Sequence, residues 1–310
     1  MLILISKRLG LMALTMFVVS MLVFLLLEVN IHGVATKVLG PYSTQDQREI
    51  WLQQNGYFDP VYQRYFRWLG HFVGGDLGQS VRFKAPVADI LFPRLRNTAI
   101  LGLGVFVVLI PVSLTLGILA GMREGSKLDR VISVSSIITT SVPEFASSVF
   151  LAAIFVFGLR WLPGTSTMTD GFSLKQLILP ILVLVLYDFG YVARMTRASM
   201  AEVMTTHYIR TAVLKGLPYR QVILKHALRN ALIAPFTVIM LQVSCLLSGV
   251  IVVESFFAYR GFGALLLEAS LNQDIFVIEA CAMTAVFVAV STQTLADIGY
   301  TYLNPRIRFR

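Results

Sequence analysis

The chain has few charged residues and almost no cysteine. Only 14% of its 310 residues are Asp, Glu, Lys or Arg, whereas soluble domains carry roughly 25%. With a hydrophobic content of 56%, this scarcity excludes an ordinary soluble protein and indicates an integral membrane protein. The two cysteines, Cys245 and Cys281, lie in apolar stretches. Their placement excludes a disulfide framework or a cysteine metal site and favours apolar packing.

Motifs of hydrolytic active sites are also missing. The sequence contains no HExxH, no GxSxG and no Walker-type lysine. We therefore expect a chain that is not an enzyme and that binds no metal or cofactor itself. The formal net charge is +9, but the basic residues lie beside apolar segments. That pattern indicates membrane topology and contact with lipid, with no nucleic-acid partner.

Six apolar segments are long enough to cross a bilayer. The predicted spans are 9–29, 98–122, 131–158, 176–194, 231–253 and 276–300. The 9–29 run is longer than the apolar region of a cleavable signal peptide, so we interpret it as a membrane helix. SVPEF at 141–145 interrupts the third span, and Gly117 and Gly121 in the second have a spacing that lets another helix approach.

Outside the long segment 31–96, which the positive-inside rule exempts because of its length, basic residues are concentrated near the N-terminus, in the turn at 123–130, in the 195–230 loop and in the tail. The positive-inside rule therefore predicts that both termini are cytoplasmic. Residues 31–96 are then an extracytoplasmic segment, in which Tyr62, Tyr65, Phe66 and Leu69 indicate an amphipathic helix. The fold class is an all-α membrane protein, with one transmembrane domain over residues 1–310.

The 195–230 loop is longer than a simple reversal of the chain requires. Met204, Tyr208 and Ala212 recur at helical spacing. Gly216 predicts the end of that helix, and Pro218 predicts the first position of a second one. A helix, a glycine-proline corner and a second helix, with basic residues along both, indicate a loop that a partner holds.

The string HYIRTAVLKGLPYRQVILKHALRNALIAP in this loop resembles the cytoplasmic loop of membrane subunits of ABC-type importers, in particular the dipeptide, oligopeptide and nickel group. DPVYQRYFRWL, GDLGQS, KAPVADILFPRLRNT, VVESFF and NPRIR extend the resemblance over nearly the whole chain. Two departures are NIHGVATKVLG, where the family commonly has Pro-Gly-Asp-Pro, and Arg260, where it usually has proline.

The resemblance implies a type I importer permease in the bacterial inner membrane. Its expected partners are a sister permease, two cytoplasmic ATPase subunits that bind ATP-Mg, and an extracytoplasmic solute-binding protein. The loop helix would be the coupling helix, which docks on an ATPase. Its contacts would involve Glu202, Tyr208, Arg210, Thr211, Ala212, Lys215, Gly216 and Leu217. For Glu202, a solvated helix face is an equal alternative.

Three acids are candidates for the solute pathway: Asp188, Glu144 and Glu254. Acids at membrane depth generally face a cavity or a partner. For Asp188, an internal pair with Arg194 or with the sister subunit is the favoured alternative. Glu144 more simply satisfies backbone groups at the interrupted helix, and Glu254 matches a family glutamate with a structural or gating role.

The function implied is an ATP-driven importer for peptides or a related small polar solute. The sequence leaves open whether the solute is a peptide, nickel, glutathione, a sugar or an opine-like compound. An ATP-independent secondary transporter is the alternative, although internal repeats and paired mid-membrane charges, which such carriers often have, are not evident.

Overall fold

The computed structural model describes residues 2–28, 31–168 and 171–303. Within these ranges the regular structure is helical, and the only strand-like pairing is an isolated bridge between Gln79 and Pro86. The helices are α1 (Leu2–Glu28), α2 (Ile31–Leu39), α3 (Gln45–Gln54), α4 (Val61–Val73), α5 (Val87–Met122), α6 (Lys127–Ser141), α7 (Glu144–Ala152), α8 (Leu174–Met204), α9 (His207–Leu214), α10 (Tyr219–Gln221), α11 (Leu228–Ala231), α12 (Ile233–Phe256), α13 (Phe262–Leu271) and α14 (Ile275–Leu303). Wider π-helical stretches, Ala153–Gly158 and Val222–Ala227, continue α7 and α10.

Four of the described helices are long and apolar enough to cross a membrane: α1, α5, α8 and α14. Two bent pairs pass the same test together. Lys127–Ser141 and Glu144–Gly158 meet at 100°, and Tyr219–Ala231 and Ile233–Ser244 meet at 48°. The number of candidate spans is six when each bent pair is taken as one span. An all-α membrane protein is therefore confirmed.

Several helices extend beyond the predicted spans. α5 begins at Val87 and α8 ends at Met204, although the apolar segments were placed at 98–122 and 176–194. Apolar composition marks the part of a helix that suits the bilayer, and a polar helix end gives no such signal. The predicted end of the first span at position 29 and the tail from position 304 lie outside the described residues.

The interruption predicted at 141–145 is a sharp bend between α6 and α7. α6 ends at Ser141, and Pro143 is the residue immediately before α7, with φ −60° and ψ 149°. Proline lacks the N–H that a continuing helix would need, and the residue before it is steered away from helical geometry. The sequence SVPEF therefore redirects the chain.

The described chain divides into two compact units, Met1–Thr98 with Arg260–Thr294 and Ala99–Tyr259 with Leu295–Arg310. In the second unit, α8 is the most buried of the candidate spans. Side chains from α5, α8 and α12 form its apolar core, which includes Leu109, Val183, Val192 and Val250. α8 is thus the central helix of this unit.

The Gly117/Gly121 pair lies where α5 contacts α8. A Cβ atom added at Gly121 would lie 2.6 Å from the carbonyl oxygen of Arg197, and one at Gly117 would lie 2.7 Å from that of Ala193. Such distances are too short for any side chain without movement of one helix. The predicted close approach of a second helix is confirmed, and its partner is α8.

In the first unit, Asp274 joins the loop after α4 to the start of α14. Its Oδ2 atom accepts hydrogen bonds from the Ser80 hydroxyl at 2.5 Å and from the Arg82 backbone N–H at 3.1 Å. Ser80 is the last residue of GDLGQS, so this motif is held by a side chain about 190 positions later in the chain. Elsewhere in the unit, Thr98 Oγ1 accepts the backbone N–H of Phe262 at the start of α13.

Candidate coupling surface and buried acids

The 195–230 loop contains a short helix, α9, that is separate from α8. Thr205 and Thr206 lie between them, and their hydroxyls donate to the carbonyl oxygens of Glu202 and Val203 at 2.7 and 2.6 Å. These bonds satisfy carbonyl groups at the end of α8. The helical spacing that linked Met204 to Tyr208 therefore crosses a break, and the prediction of one continuous helix was wrong here.

The inner face of α9 is anchored in an apolar cluster. Ile209 and Ala212 are buried, and they pack with Met200 at the end of α8 and with residues of the following helical segments. Those cluster members are Val222, Ile223, Ala227 and Ala231. Ala212, predicted to contact a partner, is 6% exposed, so the structure gives it an anchoring position.

The outer face of α9 is exposed and combines polar and apolar groups. Tyr208, Arg210 and Thr211 are exposed, as are Val213 and Leu214. Leu214 has 79% of its surface accessible. Val213 and Leu214 lie within the stretch predicted to form the contact, Tyr208 to Leu217, but the individual contact residues named from the sequence do not include them. Their spacing from the inward residues Ile209 and Ala212 was the available signal.

Gly216 gives the chain its turn after α9. Its φ angle is +75°, in the left-handed region that favours glycine. The Lys215 backbone N–H donates to Thr211, and Leu217, which is half-buried, donates to Ala212. The predicted helix end is confirmed. The restart differs by one position, because Pro218 precedes the first residue of α10, Tyr219.

Arg197 is held near the start of the loop by two acids. Its Nε and Nη2 atoms donate to the two carboxylate oxygens of Asp129 at 3.0 and 2.8 Å, and Nη2 also reaches Glu124 at 3.2 Å. The Gly125 N–H donates to Asp129 as well. This bidentate pair fixes the turn between α5 and α6 to α8. The Arg197–Asp129 pair was not predicted, because the sequence does not distinguish Arg197 from the other basic residues of the loop.

Asp188 has a neutral internal partner. Its carboxylate accepts a hydrogen bond from the Gln242 side-chain amide at 2.5 Å, and both residues are buried. The partner is internal, as the favoured alternative expected, but it is not Arg194, which donates to the carbonyl oxygen of Gly190 one turn earlier in α8. Asp188 therefore links α8 to α12 in the interior of the second unit.

The other two acids differ in exposure. Glu144 is the first residue of α7, at the 100° bend, and is partly exposed. Glu254 is fully buried in the last turn of α12. Burial raises the pKa of the nearby Tyr259 hydroxyl to about 12, and the charge of Glu254 adds to the effect.

Apolar spans, a central buried helix and an anchored helix with an exposed outer face define a multi-helix membrane protein. Comparison with protein families makes this specific. Residues 113–309 match the family described as the inner membrane component of binding-protein-dependent transport systems. The chain belongs to this family and is a transmembrane permease.

Curated relatives match over almost the full length. The chain is 33% identical to the oligopeptide transport system permease protein AppB of Bacillus subtilis, over 94% of each chain. It is 34% identical to a putative peptide transport system permease protein of Brucella abortus, over 99% of each chain. It is also 34% identical to the glutathione transport system permease protein GsiC of Escherichia coli, over 99% of this chain and 98% of the relative.

Proposed function

We propose that this chain is one membrane subunit of an ATP-driven importer for peptides or a related small polar solute. Its partners would be a sister permease, two cytoplasmic ATPase subunits and an extracytoplasmic solute-binding protein. The two permeases together would enclose the pathway, and the ATP-Mg that drives it would be bound by the ATPases. Relatives named for peptide, oligopeptide and glutathione transport support this solute class.

The observation that carries the proposal is the two-faced character of α9. Its inner face is fixed by Ile209 and Ala212, so a force applied to its outer face reaches the end of α8 without being lost in a mobile loop. The outer face presents Tyr208, Arg210 and Leu214. An exposed apolar residue flanked by polar groups is typical of a protein contact. We therefore assign this face to the ATPase contact.

The roles of the loop residues then separate. Tyr208, Arg210, Thr211 and Lys215 would contact the ATPase, together with Leu214. Ala212 and Leu217 would anchor α9 through its inner face. Gly216 would set the direction in which the chain leaves α9. Glu202, exposed in the last turn of α8, would lie at the edge of the contact.

For the pathway we propose an unequal division among the three acids. Glu144 lies at the bend between α6 and α7 and is partly exposed, so it is the one positioned to meet solute. Asp188 and Glu254 are almost fully buried within this chain. They would act by holding helices, Asp188 through Gln242.

The test compares two substitutions in the full chain, co-expressed with its neighbouring genes. Leu214→Asp changes the outer face of α9, and Gln53→Asp introduces the same negative charge at an exposed position of α3. We expect the ATPase to co-purify with the parent chain and the Gln53 variant and to be lost from the Leu214 variant. ATP-dependent uptake into liposomes would fall in parallel.

Two results would count against the proposal. Retention of the ATPase by Leu214→Asp, with uptake unchanged, would remove α9 as the coupling element. A chain that purifies without any ATPase and moves solute into liposomes without ATP would support the secondary transporter.

A further inference from the structure

Helix α4 has three faces. At roughly 100° per residue, Tyr62, Phe66, Leu69 and Val73 form one stripe, with intervals of four, three and four positions. Tyr62, Phe66 and Val73 are exposed, with 62%, 59% and 79% of their surfaces accessible. This apolar stripe has no cover within the described part of the chain. A second stripe is polar and exposed, and it contains Gln63, Arg67, Gly70 and His71.

The third face packs against α1 inside its candidate membrane span, Ser6–Leu27. The Tyr65 ring lies edge-on to Phe17 and Phe24, with centroids 6.0 and 5.5 Å away. The Tyr65 hydroxyl shares a 2.7 Å hydrogen bond with Ser20. At about 1.5 Å per residue, Ser20 lies ~10 Å before the end of the span and Phe17 ~15 Å before it.

A second contact gives α4 a similar depth on another span. Trp68 Nε1 donates to Glu279 at 3.0 Å. Glu279 lies four positions after Ile275, where the candidate span in α14 begins, and is buried. At about 1.5 Å per residue this is ~6 Å into the span. Contacts with α1 and α14 therefore place α4 beside the membrane spans, several ångströms inward from the span ends.

A helix held at this depth cannot turn all of its faces to water. The α1 span that α4 packs against also exposes apolar side chains, among them Met21, Leu22 and Leu26, and the polar stripe of α4 lies on a different side of the helix from its apolar stripe. Aromatic residues at both contacts, with the Arg64 guanidinium over the Tyr57 ring at 4.7 Å, match the composition of membrane interfaces. Amphipathic helices in such positions bury their apolar face about 5–10 Å into the headgroup and acyl boundary.

We propose that α4 is an interfacial helix whose stripe of Tyr62, Phe66, Leu69 and Val73 contacts the acyl chains of the bilayer. The segment between the first two spans is then not entirely outside the membrane. Its polar stripe meets the headgroups, and α4 braces α1 and α14 from the membrane surface. Under the proposed topology this is the outer leaflet, but the depth of α4 does not depend on which side is outside.

The test is site-directed spin labelling of the full chain in nanodiscs of phosphatidylethanolamine and phosphatidylglycerol, after Cys245→Ala and Cys281→Ala remove the native thiols. One label replaces Phe66 on the apolar stripe and one replaces Gln63 on the polar stripe. A third replaces Gln53, an exposed position of α3. Collisions with oxygen report lipid contact, and collisions with a water-soluble nickel chelate report water contact.

We expect the ratio of oxygen to nickel collisions to be several-fold higher at position 66 than at positions 63 and 53. If Phe66→Cys does not accumulate, a label at Tyr62→Cys measures the lipid and water contact of the same stripe. Nickel collisions at 66 equal to those at 53 would show a water-exposed stripe and overturn the proposal. Low collisions with both reagents at 66 would show a protein cover, such as a partner subunit, and would equally overturn it. Neither result bears on coupling through α9.

Discussion

Single residues control the geometry of the coupling loop, and Gly216 does so through its backbone alone. No atom lies within 4 Å of a Cβ built at this position, so only the φ of +75° restricts substitution. Left-handed geometry costs most L-residues about 1–2 kcal/mol, and asparagine tolerates it better. We expect Gly216→Val to reduce ATPase co-purification and uptake, while Gly216→Asn retains most of both. Equal losses in the two variants would contradict a backbone role.

The Arg197–Asp129 pair makes a different prediction, about stability. Asp129 is buried and loses a charged partner when Arg197 is replaced by alanine. Hydrogen bonds to charged groups contribute about 1.5–3 kcal/mol, so we expect Arg197→Ala to lower the thermal unfolding temperature in detergent clearly.

The neighbouring ion pair provides the control. Glu124 is largely exposed and makes one 3.2 Å contact with Arg197. Exposed pairs contribute roughly 0.2–1 kcal/mol, and Glu124→Gln is therefore expected to cause a small shift only. Arg197→Lys should behave more like alanine than like the parent, because an ammonium group cannot form the bidentate contact. Indistinguishable unfolding temperatures for all three variants would show that the pair is not important for the fold.

At the scale of elements, the contact between α5 and α8 depends on the absence of a side chain at Gly121. A methyl group there would meet the Arg197 carbonyl oxygen at 2.6 Å, whereas a Cβ built at Gly102 in the same helix has no atom within 4 Å. Overpacking typically costs 1–3 kcal/mol. We expect Gly121→Ala to be destabilised in detergent and Gly102→Ala to be neutral or slightly stabilised, as measured by thermal unfolding. A reversed order would place the close contact elsewhere.

Elements were predicted well where a local pattern determines them. Apolar length located the long apolar helices, SVPEF located the bend before α7, and Gly216 located the end of α9. Each of these signals lies within a few residues of the feature it determines. The break between α8 and α9 was missed, because the helical spacing of the sequence continues through it. Two threonine hydroxyls bond to the last carbonyl groups of α8 and end that helix there.

The contacts between distant residues were not predictable from one sequence. Asp188 is hydrogen-bonded to Gln242, which lies 54 positions later in the sequence, and Asp129 is paired with Arg197, 68 positions later. The sequence around Asp188 does not indicate whether its partner is an amide or an arginine. The predicted partner was therefore Arg194, the nearest basic residue in the sequence. The lipid-facing stripe of α4 was visible as an amphipathic pattern. Its depth became evident only from the contacts of Tyr65 and Trp68 with two membrane spans.

For the whole molecule, the distribution of charges predicts the orientation in the membrane. The turn between α5 and α6 and the loop around α9 are rich in lysine and arginine, and both connect candidate spans. Basic loops of this length are retained on the cytoplasmic side. Under the six-span topology, one span separates α3 from the turn between α5 and α6, and three spans separate it from the loop around α9. Because both numbers are odd, we expect α3 on the opposite side of the membrane.

This orientation predicts the labelling of single cysteines in intact cells. In a background with Cys245→Ala and Cys281→Ala, we expect a membrane-impermeant maleimide to label Gln53→Cys on α3 directly. Lys127→Cys, at the first residue of α6, is exposed in the structure but should react only after the membrane is permeabilised. Because both positions are exposed, a difference in labelling reports sidedness and not burial. Labelling of Lys127→Cys in intact cells, with Gln53→Cys protected, would invert the topology and place α9 outside, where no ATPase could reach it.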